Sequence, residues 1–268
     1  MRWLFLLMCA PAWAQVFDVI PLKVRQGETL RVSSDTKVHA ARLDGRKIVL
    51  FAQTDGKFLG LMPVPVLEKP GVYALEFLDA GGAVLHSTPV TVLNAHYLRQ
   101  NIVIAKAIAE LKPSPGEQER VGAFRQTVSD TRYWREPLRP PVAGCLTSPF
   151  GVQRLQNGKP TGDFHAGVDQ RGAAGTPIHP VTFGVVRIVE KYNLRGGTVA
   201  IDHGQGMESI YLHMSSFGAT EGERVGPDDV IGHIGSTGRS TGPHLHWTLY
   251  VNGVPVNPGQ WMKLQACK

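Results

Sequence analysis

Turn signals recur through this chain at short, nearly regular intervals, and that spacing constrains the fold more than any other feature of the sequence. Between Val16 and Leu93 they fall at Gln26-Gly27, Asp44-Gly45, Asp55-Gly56, Pro70-Gly71 and Gly81-Gly82. The runs between them, such as Arg46 to Ala52, Val72 to Leu78 and Ala83 to Leu93, are short and rich in β-formers. Thirty glycines and nineteen prolines in 268 residues favour many short strands over a helical bundle. With 43% hydrophobic and 19% charged residues, the chain has the composition of a core-forming globular protein rather than a disordered one.

About seven short strands at roughly 8–12 residue spacing is the pattern of an immunoglobulin-like β-sandwich, expected over residues 15–93. This part holds no catalytic constellation, since His39 and His86 stand alone. Residues 94–141 read as a connector. Leu98 to Leu111 is divided, its first half β-branched and its second half, Ala105 to Glu110, preferring helix. Ser114-Pro115-Gly116-Glu117 then predicts one helix start, with Ser114 as N-cap, Pro115 at the first helical position and Glu117 closing a capping box. Val121, Phe124 and Val128 give that helix an apolar face. Pro137, Pro140 and Pro141 end the connector, and residues 142–268 form the last unit. Strands return there over Thr176 to Glu190, Gly197 to His203, Ser209 to Met214 and His244 to Val251, with no long amphipathic helix. The expected class is mainly β throughout.

The N-terminus reads as an export signal over residues 1–14. Arg2 supplies the charge, Trp3 to Ala10 the apolar stretch, and Ala12-Trp13-Ala14 a small-x-small cleavage site before Gln15. Bulky Met8 ahead of Cys9 argues against a lipid anchor. No later apolar run reaches the roughly 18 residues that span a membrane, so the mature chain carries no transmembrane segment. The net charge of +6 suits an anionic polymer or surface without naming a partner; nothing points to nucleic acid. Outside the signal two cysteines remain, Cys145 and Cys267. In an exported chain they allow one disulfide around most of the C-terminal half, two unpaired thiols being the alternative. The absence of a C-x-x-C pair speaks against a cysteine–zinc site.

Seven of the ten histidines lie from Gly144 onward. His165-Ala166-Gly167-Val168-Asp169, Tyr211-Leu212-His213 and His244-Leu245-His246 stand out. On strands, alternate side chains share a face, so His165 can face the same way as Asp169, and His244 the same way as His246. Two imidazoles and one carboxylate leave a tetrahedral position open for water, the layout of a catalytic zinc site. Each fragment alone is weak, and the weight rests on their co-occurrence in one all-β region. His179 and His233 read as surface residues, and His203 as a structural or supporting one.

Gly238-Arg239-Ser240-Thr241-Gly242 matches the G-x-S-x-G elbow of serine hydrolases. That elbow opens into a helix, and an acidic triad member follows it in the chain. Here Pro243 and a predicted strand follow, with no Asp or Glu after Ser240. A phosphate-binding loop fails as well, because Arg239 stands where lysine is needed. The segment reads instead as a tight turn delivering His244 and His246.

Residues from about Thr147 to Pro258 resemble the lysostaphin-type (LytM-like) zinc endopeptidases of bacterial cell walls. Ser148-Pro149-Phe150-Gly151, His165 to Asp169, Gly175-Thr176-Pro177, Ile201-Asp202-His203-Gly204, Tyr211-Leu212-His213 and Gly235 to Trp247 fall in that family's order. Gln15 to Leu93 also resembles, more weakly, the sandwich that precedes the catalytic domain in some exported relatives. The resemblance implies one zinc per chain, with His165, Asp169 and His246 as ligands and His213 and His244 as the two non-ligand histidines of the active site. Enzymes of the lysostaphin subgroup carry a tyrosine shortly before H-x-x-x-D, whereas Gln156 to Phe164 contains none. His213 becomes the better candidate to steady the oxyanion.

The resemblance further implies hydrolysis of peptidoglycan stem or cross-bridge peptides, with His244 as general base. An export signal without wall-anchoring repeats suits a periplasmic enzyme acting on directly cross-linked stem peptides. The alternative is a silent relative that binds peptidoglycan or activates another hydrolase; such members lose ligands, and here all five positions are intact.

Overall fold

The structure, a computed structural model, describes residues 15–103 and 105–268. The expected export signal lies outside the described residues. Nine strands come first: β1 (Phe17–Ile20), β2 (Lys23–Arg25), β3 (Thr29–Ser34), β4 (Ala40–Leu43), β5 (Arg46–Val49), β6 (Phe51–Ala52), β7 (Phe58–Pro63), β8 (Gly71–Leu78) and β9 (Val84–Leu93). They form two sheets, ordered β1-β3-β7-β6 and β2-β9-β8-β4-β5. Leu30, Val32 and Met62 from the first meet Leu75, Phe77 and Val90 from the second in one buried core. The run Arg46 to Ala52, continuous in sequence, breaks at Leu50: β5 stays with β4 while β6 crosses to β7.

The connector contains β10 (Arg99–Ile102), a one-turn helix α1 (Lys106–Ala109) and α2 (Glu117–Phe124). The divided character of Leu98 to Leu111 therefore marks two short elements, and the connector holds two helices instead of the one expected. Helix α2 also begins later than the capping box predicts, with Gly116 in the left-handed region as its N-cap. The reason is competition for the capping groups. Ser114 Oγ accepts the Asn193 amide at 2.8 Å, and the Glu117 carboxylate accepts the amides of Ser114, Leu194 and Arg195 and the Arg195 guanidinium. Val121 and Phe124 are buried as expected, whereas Val128 lies beyond the helix and is exposed.

The remaining strands are β11 (Leu146–Ser148), β12 (Gln153–Gln156), β13 (Lys159–Phe164), β14 (Val168–Arg171), β15 (Pro177–Ile178), β16 (Gly184–Tyr192), β17 (Gly196–Gly204), β18 (Met207–Met214), β19 (Ser216–Phe217), β20 (Arg224–Val225), β21 (Gly232–His233), β22 (His244–Val251) and β23 (Val254–Val256). Eight build one sheet in the order β11-β14-β22-β18-β17-β16-β20, with β23 on β22. The predicted strand Thr176 to Glu190 is split into β15 and β16. Pro180 cannot donate to a ladder, and Thr182 turns its hydroxyl to the connector, donating to the Arg135 carbonyl and accepting the Arg135 amide.

Every residue of β17 is buried, because both of its faces are covered. On one side Ala200 and Ile210 pack under Val121 and Phe124 of α2. On the other, Val199, Ile201, Tyr211 and Trp247 join the main core, which also takes in Leu61 of β7 and Val66 of the loop after it. Asn252 Nδ2 donates to the Leu61 carbonyl and Gln260 makes two hydrogen bonds with the Thr29 backbone, so the N-terminal sheets are fastened to this core. The mainly-β expectation holds, and no helix among the described residues is long and apolar enough to cross a membrane.

Cys145 and Cys267 are bridged, with Cα atoms 5.0 Å apart. Leu146 and Ala266 form a parallel bridge beside them, so the bond ties the first strand of the large sheet to the C-terminal tail.

Candidate metal centre and active site

Asp169 on β14 and His246 on β22 are register partners across the ladder. His165 comes from outside it. The same-strand reading of His165 and Asp169 does not hold: His165 follows β13 and reaches Asp169 through the turn Ala166-Gly167. Gly167 makes that turn possible, because a Cβ there would lie 2.2 Å from the Trp247 carbonyl oxygen. The turn thus passes directly over the strand that carries His246.

Three donor atoms converge. His165 Nε2 lies 3.1 Å from Asp169 Oδ1 and 3.1 Å from His246 Nδ1, and His246 Nδ1 lies 2.8 Å from Asp169 Oδ1. Tautomers fix what these atoms are. His165 Nδ1 is 2.9 Å from the Pro149 carbonyl, an acceptor only, so Nδ1 carries the hydrogen and Nε2 presents a lone pair. Ser148 Oγ, 3.1 Å from the same Nδ1, supports that edge. His246 Nε2 has Thr248 Oγ1 at 3.4 Å, which leaves Nδ1 to face the carboxylate. Acceptors this close, as at His165 Nε2 and Asp169 Oδ1, repel unless a cation or a hydrogen lies between them. Four-coordinate zinc, at about 2.0–2.1 Å from N and O donors, calls for a comparable donor spacing. The residues fit a metal.

Electrostatics agree with that demand. Burial lowers the His246 pKa to about 4, against the partial support of Asp169. For Asp169, burial opposes ionisation, yet the adjoining His165 and His246 outweigh it and hold the carboxyl well below its ordinary range. Arg154 on β12 adds a guanidinium nitrogen 3.5 Å from Asp169 Oδ2.

Two more imidazoles border the triangle. The rings of His213 and His244 lie 5.1 Å apart, and that of His213 is 6.1 Å from His246. His244 shares a strand face with His246, and its Nδ1 donates to the Gly242 carbonyl at 2.8 Å, leaving Nε2 bare 3.8 Å from Asp169 Oδ1. His213 closes β18 in the left-handed region (φ 64°), a conformation uncommon outside glycine. Its Nδ1 donates to the Thr237 carbonyl at 2.8 Å while its amide is held by the Arg195 carbonyl. Burial, then the charges of His246 and His244, lower the His213 pKa to about 3, so it stays neutral at ordinary pH.

The loop Gly238 to Gly242 is a turn that positions His244. Ser240 Oγ donates to the Gly242 carbonyl at 2.8 Å and lies 3.4 Å from His244 Nδ1. His203 sits apart, fully buried, bonded to the Phe183 carbonyl and to Ser209 Oγ, which donates on to Tyr211. His179 and His233 are half-buried and bond to the Asp229 carbonyl and Ser216 Oγ respectively, away from the triangle. Sequence reasoning passed over Arg154 and Thr248. Thr248 continues the alternation of His244 and His246, a signal that was available; Arg154 has none, because only the fold brings β12 to Asp169.

With this geometry in place, comparison with known proteins becomes decisive for residues 163–258, which match Peptidase family M23. That segment is an M23 peptidase domain. The DD-carboxypeptidase/endopeptidase Mpg of Neisseria meningitidis serogroup B is 41% identical over 121 residues, 45% of this chain and 28% of that protein. The peptidoglycan DD-endopeptidase ShyA of Vibrio cholerae is 38% identical over 112 residues, 42% of this chain and 26% of that one. The matched region thus spans about a quarter of the length of these curated relatives. A Pseudomonas aeruginosa crystal structure assigned to peptidase M23 superposes with a TM-score of 0.67 at 27% identity, covering 88% of this chain and 93% of that one. The N-terminal sheets are therefore shared along with the M23 domain.

Proposed function

We propose that the M23 domain is a zinc-dependent endopeptidase that hydrolyses peptide cross-links of peptidoglycan, in a protein exported to the periplasm. The observation that carries this reading is one arrangement of five side chains. Two imidazoles and a carboxylate converge in a triangle, and two further imidazoles border it. The relatives named as DD-endopeptidases support the substrate class, and the export signal expected over residues 1–14 suits its location.

His165, Asp169 and His246 would hold one zinc, three protein ligands being the number that leaves a position open in catalytic sites. Bound there, the metal supplies Lewis-acid polarisation of the scissile carbonyl and acidifies water toward a pKa of about 7. His244 takes a proton from the attacking water at Nε2 and delivers it to the departing amine. His213 also offers a bare Nε2, since its Nδ1 hydrogen is committed to Thr237. It therefore orients the water as an acceptor. Donating to an oxyanion would need a second proton on a ring whose burial opposes charge, so of the two parts expected of His213, orienting water or steadying the oxyanion, the first is the one proposed.

The test is digestion of purified sacculi by the full chain with zinc, with a chelator, and with zinc restored after chelation. Release of shorter muropeptides that stops with the chelator and returns with zinc is expected. Sacculi left uncut at full zinc occupancy would overturn the reading in favour of a binding or activating protein.

A further inference from the structure

A groove of about 1020 Å³ opens at the end of the large sheet opposite the histidines. Gly184 and Gln205 line it, whereas His213 closes the far end of β18. Along a strand the length of β17 that separation is about 25 Å. Its walls come from three parts of the chain: Gln53 near β6, Arg132 to Glu136 of the connector, and Phe183 and Arg224 of the M23 domain.

Three arginines stack on aromatic rings here. Arg132 lies 3.6 Å from the Trp134 ring centroid, Arg135 lies 4.8 Å from Phe183, and Arg224 lies 5.8 Å from Tyr133. Such stacking fixes the plane of a guanidinium and leaves its N–H fork directed outward. Among the described residues, Arg135 and Arg224 have neither a hydrogen-bond nor an ion-pair partner for that fork, although both are exposed at the groove. One of the three carboxylates in the lining is paired with an arginine from outside it. Glu136 pairs with Arg31, and Asp229 accepts the Gly226 amide at 2.7 Å. Arg31 offsets Glu136, so Asp130 and Asp229 face three guanidiniums and the groove keeps one net positive charge.

We propose that this groove is a second binding site for the wall polymer, taking free carboxylates of its stem peptides on Arg135 and Arg224. The proposal rests on the reading of the M23 domain as a peptidoglycan hydrolase. Bidentate pairing with guanidinium is the geometry a carboxylate favours, and a polymer with repeating stems can occupy groove and cleft together. The groove then governs attack on insoluble polymer and leaves small soluble fragments unaffected.

The experiment compares the full chain with an Arg135→Glu/Arg224→Glu variant and with Lys23→Glu/Lys47→Glu, which changes the net charge equally on exposed side chains outside the groove. Sedimentation with purified sacculi in the presence of a chelator reads binding without cleavage. The groove variant should bind about tenfold or more weakly at low salt, and the control should bind like the parent. Sacculi whose carboxylates have been amidated should bind parent and groove variant equally. With zinc, the groove variant should cut a soluble cross-linked muropeptide dimer at the parental rate and sacculi more slowly. Equal binding of groove variant and control would overturn the proposal, as would groove-dependent binding that survives amidation. Binding confined to an acidic protein partner, with none to sacculi, would also overturn it. Groove-dependent binding without any hydrolysis would instead defeat the enzymatic reading alone. Should charge reversal lower the melting temperature, Arg135→Gln/Arg224→Gln carries the same comparison.

Discussion

Asp169 faces His246 across two adjacent strands, its Oδ1 2.8 Å from the imidazole Nδ1. The pair is built into the ladder between β14 and β22, and His165 is the only member of the triangle that a turn must deliver. The precision of the centre therefore depends on how closely that turn can approach β22.

Gly167→Ala tests this dependence. The added methyl would lie 2.2 Å from the Trp247 carbonyl oxygen, and backbone on both sides cannot yield without moving His165 or β22. The variant should lose about 1–3 kcal/mol of stability, the usual cost of overpacking, and bind metal more weakly. Thermal unfolding with metal titration checks both. Unchanged affinity would mean that the turn has slack.

Most of this fold was legible in turn spacing and alternation. His244 to Val251 is a strand with the expected boundaries, and the mainly-β class follows from Gly and Pro punctuation. What sequence could not show came from competition between distant groups. Glu117 and Ser114 look like a capping box, yet only half of it forms: Glu117 accepts the Ser114 amide, while Ser114 Oγ holds the Asn193 amide and the helix starts later. His165 and Asp169 look like strand neighbours but are joined by a turn. Arg154 carries no local mark at all, since its position beside Asp169 exists only once β12 is folded against the site.

A buried carboxyl away from the His165–Asp169–His246 triangle sets a pH dependence. Glu208 on β18 stands opposite Asp202 on β17, fully buried beside the Gly253 backbone. Burial first, and then the Asp202 charge, raise its pKa from 4.5 to about 9, with Arg125 offsetting part of the rise. Between these two values the native state holds a proton that the unfolded state has released. The contribution of Glu208 to stability is therefore full below about pH 4.5 and is lost as pH rises toward 9. Glu208→Gln should flatten that decline and raise the unfolding midpoint at pH 8 relative to the parent. A midpoint lowered equally at pH 5 and pH 8 would contradict the assignment.

The Cys145–Cys267 bridge closes a loop with a sequence separation of 122 residues, and all three triangle residues lie inside it. A chain-entropy model gives an upper figure of about 4–5 kcal/mol for a loop of this size. Reduction should lower the melting temperature while zinc content stays at one per chain. Calorimetry and metal analysis on the same reduced sample check this, and loss of metal on reduction would show that the bridge shapes the site itself.

His244 and His246, two positions apart on one strand face, are proposed to divide the work of base and ligand. This division is tested most directly by the zinc content of purified His246→Ala and His244→Ala proteins beside the parent, each confirmed folded by circular dichroism. His246→Ala should lose the metal, because two ligands hold zinc poorly. His244→Ala should keep one zinc per chain and cut sacculi about 10²- to 10⁴-fold more slowly, the range for a lost general base. Full zinc in His246→Ala, or its loss from His244→Ala, would contradict the account.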